Sequence, residues 1–138
     1  MHERLRQALA VTRAEVAAGS AAVDAGLDML VFCHGFCTAL DGHHRGEDRT
    51  LFPAVAAAHP ELRPTLRALE QDHSMIAQLI GGLRTAADRG GTPAQLGRHL
   101  EGIAAIMESH FRYEERALRQ VLETLDLPAD PTDVLGPL

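Results

Sequence analysis

The chain has 138 residues and a formal charge of −6, enough length for one domain to bury a core without disulfides or a partner. The charge argues against general nucleic-acid binding, which needs a basic footprint. The 13 basic residues are arginines scattered along the chain, with no polybasic run for anionic lipid. Hydrophobic residues make up 46% and aromatics only 4%, and mean hydropathy is near zero. Alanine and leucine dominate, which favours helices because they lose little entropy there.

Helical spacing of apolar residues recurs along nearly the whole chain, and strand alternation is almost missing. The first helix is expected from His2 to Ala18, stopping at Gly19-Ser20. The second is expected from about Ala22 to Arg49, followed by a short helical coda around Pro53 that ends at His59-Pro60. The third begins near Glu61, with Pro64 in its first turn where proline is tolerated, and ends at Asp88-Arg89-Gly90-Gly91. The fourth starts after Thr92, an N-cap residue with Pro93 at the first helical position, and runs to about Asp126. The tail, 127–138, has three prolines and no periodicity and reads as extended or disordered. The expectation is an all-α fold: an antiparallel up-down-up-down four-helix bundle over 1–126, joined by short connections. The N-terminus MHERLRQALA lacks a secretory pattern, and no apolar run reaches membrane-spanning length. A cytoplasmic protein is expected by default, as a monomer or weak homo-oligomer.

Each helix carries a histidine inside its own apolar stripe. His2 lines up with Leu5, Leu9 and Val16. His43 and Glu47 line up with Phe32, Phe36 and Leu40. His73 sits among Leu62, Leu66, Leu69, Ile76 and Ile80. His110 and Glu114 fall among Leu96, Ile103, Ile106, Met107, Leu118 and Val121. Buried imidazoles and carboxylates are costly unless they are paired, hydrogen-bonded or coordinated. One such histidine is ordinarily a hydrogen-bonded core residue; four with two glutamates are not so easily explained. His43 and Glu47, like His110 and Glu114, are four residues apart, one turn along the same helical face. Counted from the shared turns at about 1.5 Å per residue, the four histidines fall within a few turns of one level, His2 fitting most loosely. Four nitrogens and two carboxylates exceed the three or four ligands of a single zinc. They suit two metal ions, and imidazole with carboxylate suits iron, a ligand type that other first-row metals also accept.

The stretch HHRGEDRTLFP, then His73 in LEQDHSMI, then His110-Phe-Arg-Tyr-Glu114-Glu-Arg, resembles the hemerythrin-like (HHE cation-binding) family over about residues 1–124. The resemblance implies a four-helix bundle around two non-haem iron ions bridged by oxide or hydroxide. By it, His2, His43, His73 and His110 are terminal ligands, and Glu47 and Glu114 bridge. It also implies a protein that binds or redox-processes oxygen, peroxide or nitric oxide, for sensing or for protection against oxidative or nitrosative stress. A catalase-like peroxide-decomposing enzyme and an iron-handling protein without gas chemistry are the alternatives. One departure is Ala77, where the invertebrate oxygen carriers have a further histidine; this weighs against reversible oxygen carriage.

Several residues have plainer readings. His44 projects about 100° from His43 and reads as a partly exposed structural histidine, with an extra ligand as the sharper alternative. Glu70, in a Glu-x-x-His match to ferritin-like carboxylate proteins, occurs only once in that pattern and could instead orient His73. Tyr113 reads as packing, with contact to the site as the alternative. His34 and His59 read as surface or turn residues, and His99 as a residue three turns from His110. Cys33 and Cys37 read as small buried hydrophobes beside the site, a redox-responsive pair being the alternative.

Overall fold

The computed structural model describes residues 1–19 and 25–124, and every element among them is helical. Helix α1 spans His2–Ala18, and α2 spans Ala25–Gly46. A π-helical turn over Glu47–Leu51 leads into α3, Phe52–Ala58. A 3-10 turn over Pro60–Leu62 precedes α4, Arg63–Asp88, and α5 spans Pro93–Thr124. The tail lies outside the described residues, as does the expected start of the second helix at Ala22. None of the helices described is long and apolar enough to cross a membrane.

The second helix does not stop at Arg49. Gly46, Leu51 and Phe52 all keep right-handed helical dihedrals, so α2, the wide turn and α3 follow one another without a break. The Phe52 N–H returns to the Glu47 carbonyl, five residues back. Pro53 explains the widening: it has no N–H for the Arg49 carbonyl, and its ring would crowd that group in a regular helix. The rod ends at His59, whose φ of −133° and ψ of 73° are extended, as expected of a residue before proline.

The turn between α4 and α5 is built from glycine. Gly90 has φ of +72°, and a Cβ on Gly91 would stand 2.7 Å from the Ala86 carbonyl oxygen. The Gly91 N–H donates to that oxygen and the Gly90 N–H to Ala87, closing the helix end. Thr92 and Gln95 then cap α5 reciprocally: the Thr92 N–H donates to Gln95 Oε1, and the Gln95 N–H to Thr92 Oγ1.

The long helices pack in a cycle, α1 on α2, α2 on α4, α4 on α5 and α5 on α1. The larger core cluster joins Leu5, Leu9, Leu40, Ile76, Leu83, Leu100, Ile103 and Phe111. A smaller one under α3 joins Phe52, Val55, Leu66, Leu69 and Leu118. Each fully buried side chain of this kind contributes about 1.5–3 kcal/mol against conformational entropy. The stripes expected on α1, α4 and α5 face these clusters, with Leu62, Ile106 and Val121 half-buried at their margins. On α2 the inward face is rotated: Cys33 and Cys37 are buried with Phe36 and Leu40, and Phe32 is exposed. The cysteines therefore take the core position given to Phe32 by spacing alone.

Candidate metal centre

The four helices bring His2, His43, His73 and His110 together with Glu47 and Glu114 between the two core clusters. All of these are buried except His2, which is half-buried at the start of α1. Glu47 Oε1 stands 3.2 Å from His43 Nε2, and its Oε2 stands 3.4 Å from His73 Nε2. Glu114 Oε2 lies 3.4 Å from His110 Nε2 and 3.6 Å from His2 Nε2. Each carboxylate thus lies between one histidine of the His2–His43 side and one of the His73–His110 side. Donor atoms of His2, His43 and Glu47 lie within 4.8 Å of one another, as do those of Glu47, His73, His110 and Glu114. Glu47 belongs to both groups.

Three of the histidines are oriented by acids from a neighbouring helix. His73 Nδ1 lies 2.7 Å from Asp48 Oδ1, His110 Nδ1 lies 3.3 Å from Asp72 Oδ2, and His2 Nδ1 lies 2.9 Å from Glu115 Oε1. An ionised carboxylate only accepts, so each Nδ1 carries the proton and donates. The Nε2 atoms of His73 and His110 face one another at 3.0 Å. That spacing suits positive charge between the two nitrogens, a shared proton in the bare chain or a cation bound to both. Two donors at right angles on an octahedral cation, with bonds of about 2.1 Å, would stand about 3.0 Å apart.

The carboxylates carry the same mark. Glu47 Oε2 and Glu114 Oε2 are buried without a hydrogen bond, which ordinarily costs about 1–3 kcal/mol per group. Burial, and then the facing Glu114 carboxylate, push the Glu47 carboxyl well above the usual range. Burial works against ionisation of Glu114 too, but the adjacent His110 and His2 hold it below its ordinary value. The pair therefore favours one ionised and one protonated carboxyl in the metal-free chain. A cation between them would remove the need for that proton, so the residues present fit a bound metal.

His44 is buried rather than half-exposed, and its Nε2 has no hydrogen bond. Burial and the surrounding histidines lower its basicity steeply, keeping the ring neutral. It lies parallel to His73, with ring centroids 4.0 Å apart and 11° between planes. Its donor atom lies within 4.8 Å of those of His73 and His110, so His44 is placed as a candidate third imidazole on that side. Glu70 does not orient His73: it is exposed, and Asp48 takes that role. Tyr113 packs against the smaller core cluster under the Arg116 guanidinium. His34 pairs with Asp88 and His59 with Glu61 at the surface, and His99 packs near Gly82. Ala77 is exposed on α4.

Spacing did not reveal Asp48, Asp72 and Glu115. Each is the immediate neighbour of a residue already singled out: Glu47-Asp48, Asp72-His73, Glu114-Glu115. An adjacent helical residue points about 100° away, toward the next helix rather than into its own stripe. Acids flanking inward donors were the available signal. Phe111 stacks on His2 at 3.9 Å, and Phe52 lies along His73 at 5.5 Å, closing the centre with apolar rings.

A helical bundle whose buried histidines and glutamates converge from four helices is a cation-binding protein in design. The sequence matches the hemerythrin HHE cation binding domain over residues 1–122, and the chain belongs to that family. Neither the curated proteins nor the solved structures yield a match to it.

Proposed function

We propose that the chain holds two iron ions, one on the His2–His43 side and one on the His73–His110 side, with Glu47 and Glu114 joining them. The bundle that holds them is up-down-up-down; the four-residue connection 89–92 between the adjacent α4 and α5 supports that sense. The observation that carries the reading is the pair of facing His73 and His110 nitrogens, each oriented by an acid at its far side. Nitrogen and carboxylate donors without thiolate favour iron over soft-metal chemistry.

We further propose that the protein binds or redox-processes oxygen, peroxide or nitric oxide, in sensing or in protection from oxidative or nitrosative stress. When bound, a pair of ferrous ions supplies electrons and coordination positions for such a ligand. The chain's own part is to hold the imidazoles by their Nδ1 protons, keep Glu47 and Glu114 between the pairs, and exclude water with Phe52 and Phe111. The buried Nε2 of His44 supports the small-ligand reading: it is a hydrogen-bonding atom beside the donors with no protein partner. In this reading it meets the ligand rather than an ion.

The test combines metal loading with ligand titration. Iron-loaded protein should show an absorption change with nitric oxide or oxygen, and His44→Leu should keep both ions while altering that response. Sustained oxygen release on adding peroxide would identify the catalase-like activity. Iron-loaded protein indifferent to all three ligands would contradict the small-ligand reading.

A further inference from the structure

The acids behind three of the histidines run in one direction around the bundle. Asp48, beside Glu47 after α2, orients His73 on α4. Asp72, beside His73, orients His110 on α5. Glu115, beside Glu114, orients His2 on α1. The α2 segment with its following turn, α4 and α5 therefore each supply both a donor to the centre and the acid that fixes the donor of the next helix.

The links are unequal. His73 and His110 are buried in the middle of long helices, where the backbone holds them on both sides. His2 is the first residue of α1, and Met1 before it makes no side-chain cap. First turns fray unless they are tied down. Beyond the half-buried His2, the tie is a chain of partly exposed ion pairs. Arg6 NH1 donates to the same Glu115 Oε1 that receives His2, at 3.0 Å, and Arg6 Nε donates to Glu108 Oε2 at 2.8 Å. Arg112 Nε donates to the other oxygen of Glu108 at 2.7 Å. The Arg6 guanidinium also sits over the Phe111 ring, 5.4 Å from its centroid, on which His2 stacks.

We propose that Glu115, held by Arg6, is the positioning residue for His2, and that it sets the affinity of the His2–His43 half of the centre separately from the other half. This rests on the two-ion reading above. The half that depends on Glu115 is then the weaker of the two, because His2 begins α1 and is held there by side-chain ion pairs, whereas His73 and His110 are fixed within long helices. The His73–His110 half relies on Asp48 and Asp72, acids that do not touch this chain of ion pairs.

The experiment is iron(II) titration of wild type, Glu115→Ala and Glu115→Gln, read as ions per chain by native mass spectrometry, with circular dichroism to confirm helix content. Losing a partner that orients a metal-bound histidine typically costs about 10–100-fold in affinity. Glu115→Ala should weaken one ion by that factor and leave the other unchanged. Glu115→Gln should restore two ions, because its single amide oxygen can accept from both His2 and Arg6. Wild type with two ions and Glu115→Ala equal to it would overturn the inference alone, as would loss of both ions together or failure of glutamine to rescue. Fewer than two ions on wild type would overturn the two-ion reading and this inference with it.

Discussion

Replacing Glu47 with leucine should move stability in opposite directions with and without metal. Glu47 is 1% exposed, and its Oε2 makes no hydrogen bond. An unsatisfied buried polar group costs about 1–3 kcal/mol, and leucine fills a similar volume without it. The attraction lost is small. The carboxylate oxygens stand 3.2 and 3.4 Å from His43 and His73, against about 2.7–2.9 Å for a strong charge-assisted bond. In chelator, Glu47→Leu should therefore be more stable than wild type by about 1–2 kcal/mol. At about 4 °C per kcal/mol for a domain of this length, Tm should rise by about 4–8 °C. With iron(II) at 100 times its Kd, wild type gains about 2.7 kcal/mol per site, while the variant, lacking the carboxylate common to both donor groups, gains little. The order of the two melting temperatures should reverse. Thermal unfolding by circular dichroism, with and without chelator, reads both arms. A chelated Glu47→Leu that melts below chelated wild type would refute the view that this carboxylate is placed for a cation at the expense of the bare fold.

The raised Glu47 carboxyl gives a pH dependence of definite sign. Because its folded pKa lies above the unfolded value, its contribution to metal-free stability is full below about pH 4.5 and is lost as pH rises through the folded pKa. A cation must displace that proton, so metal affinity should rise with pH. Calorimetry in buffers of differing ionisation enthalpy should show proton release on binding; equal heats in all buffers would contradict it. Phe111→Ala removes a fully buried ring that also stacks on His2, so unfolding free energy should fall by about 3–5 kcal/mol, measured by urea titration. Burial pushes the Cys37 thiol up to about 11 and raises Cys33 as well. Both should react slowly with a disulfide reagent at neutral pH and quickly once unfolded; rapid native labelling would count against the packed α2 interface. Thr92→Ala breaks the α5 capping pair and should cost about 1 kcal/mol without changing metal content.

Much of the centre was legible because helical geometry converts spacing directly into direction. His43 and Glu47, or His110 and Glu114, share a face whatever the rest of the fold does, and apolar neighbours show that the face is inward. His2 and His73 followed from the same stripes. The parts that escaped depend on relations between helices. Asp48, Asp72 and Glu115 lie off their own inward stripes and act on the next helix. His44 lies one residue beyond His43, where a stripe argument gives an edge position; only the packing of α4 against α2 makes that edge interior. Phe32 was misplaced for a similar reason, since it sits near the boundary of its stripe and the neighbouring helix decides which side is covered; Cys33 and Cys37 are buried, as expected of small hydrophobes. The wide turn at Glu47–Leu51 had one local sign, Pro53, whose effect on the preceding turn is steric rather than periodic.

The most direct measurement is metal content per chain in the purified protein, with its optical spectrum, for wild type, Glu47→Ala and Glu114→Ala. Two irons per wild-type chain, with charge-transfer absorption after oxidation and loss of most metal in both variants, is the expected result. A single zinc, no metal after iron(II) loading, or full retention of both ions by either variant would contradict the paired iron centre.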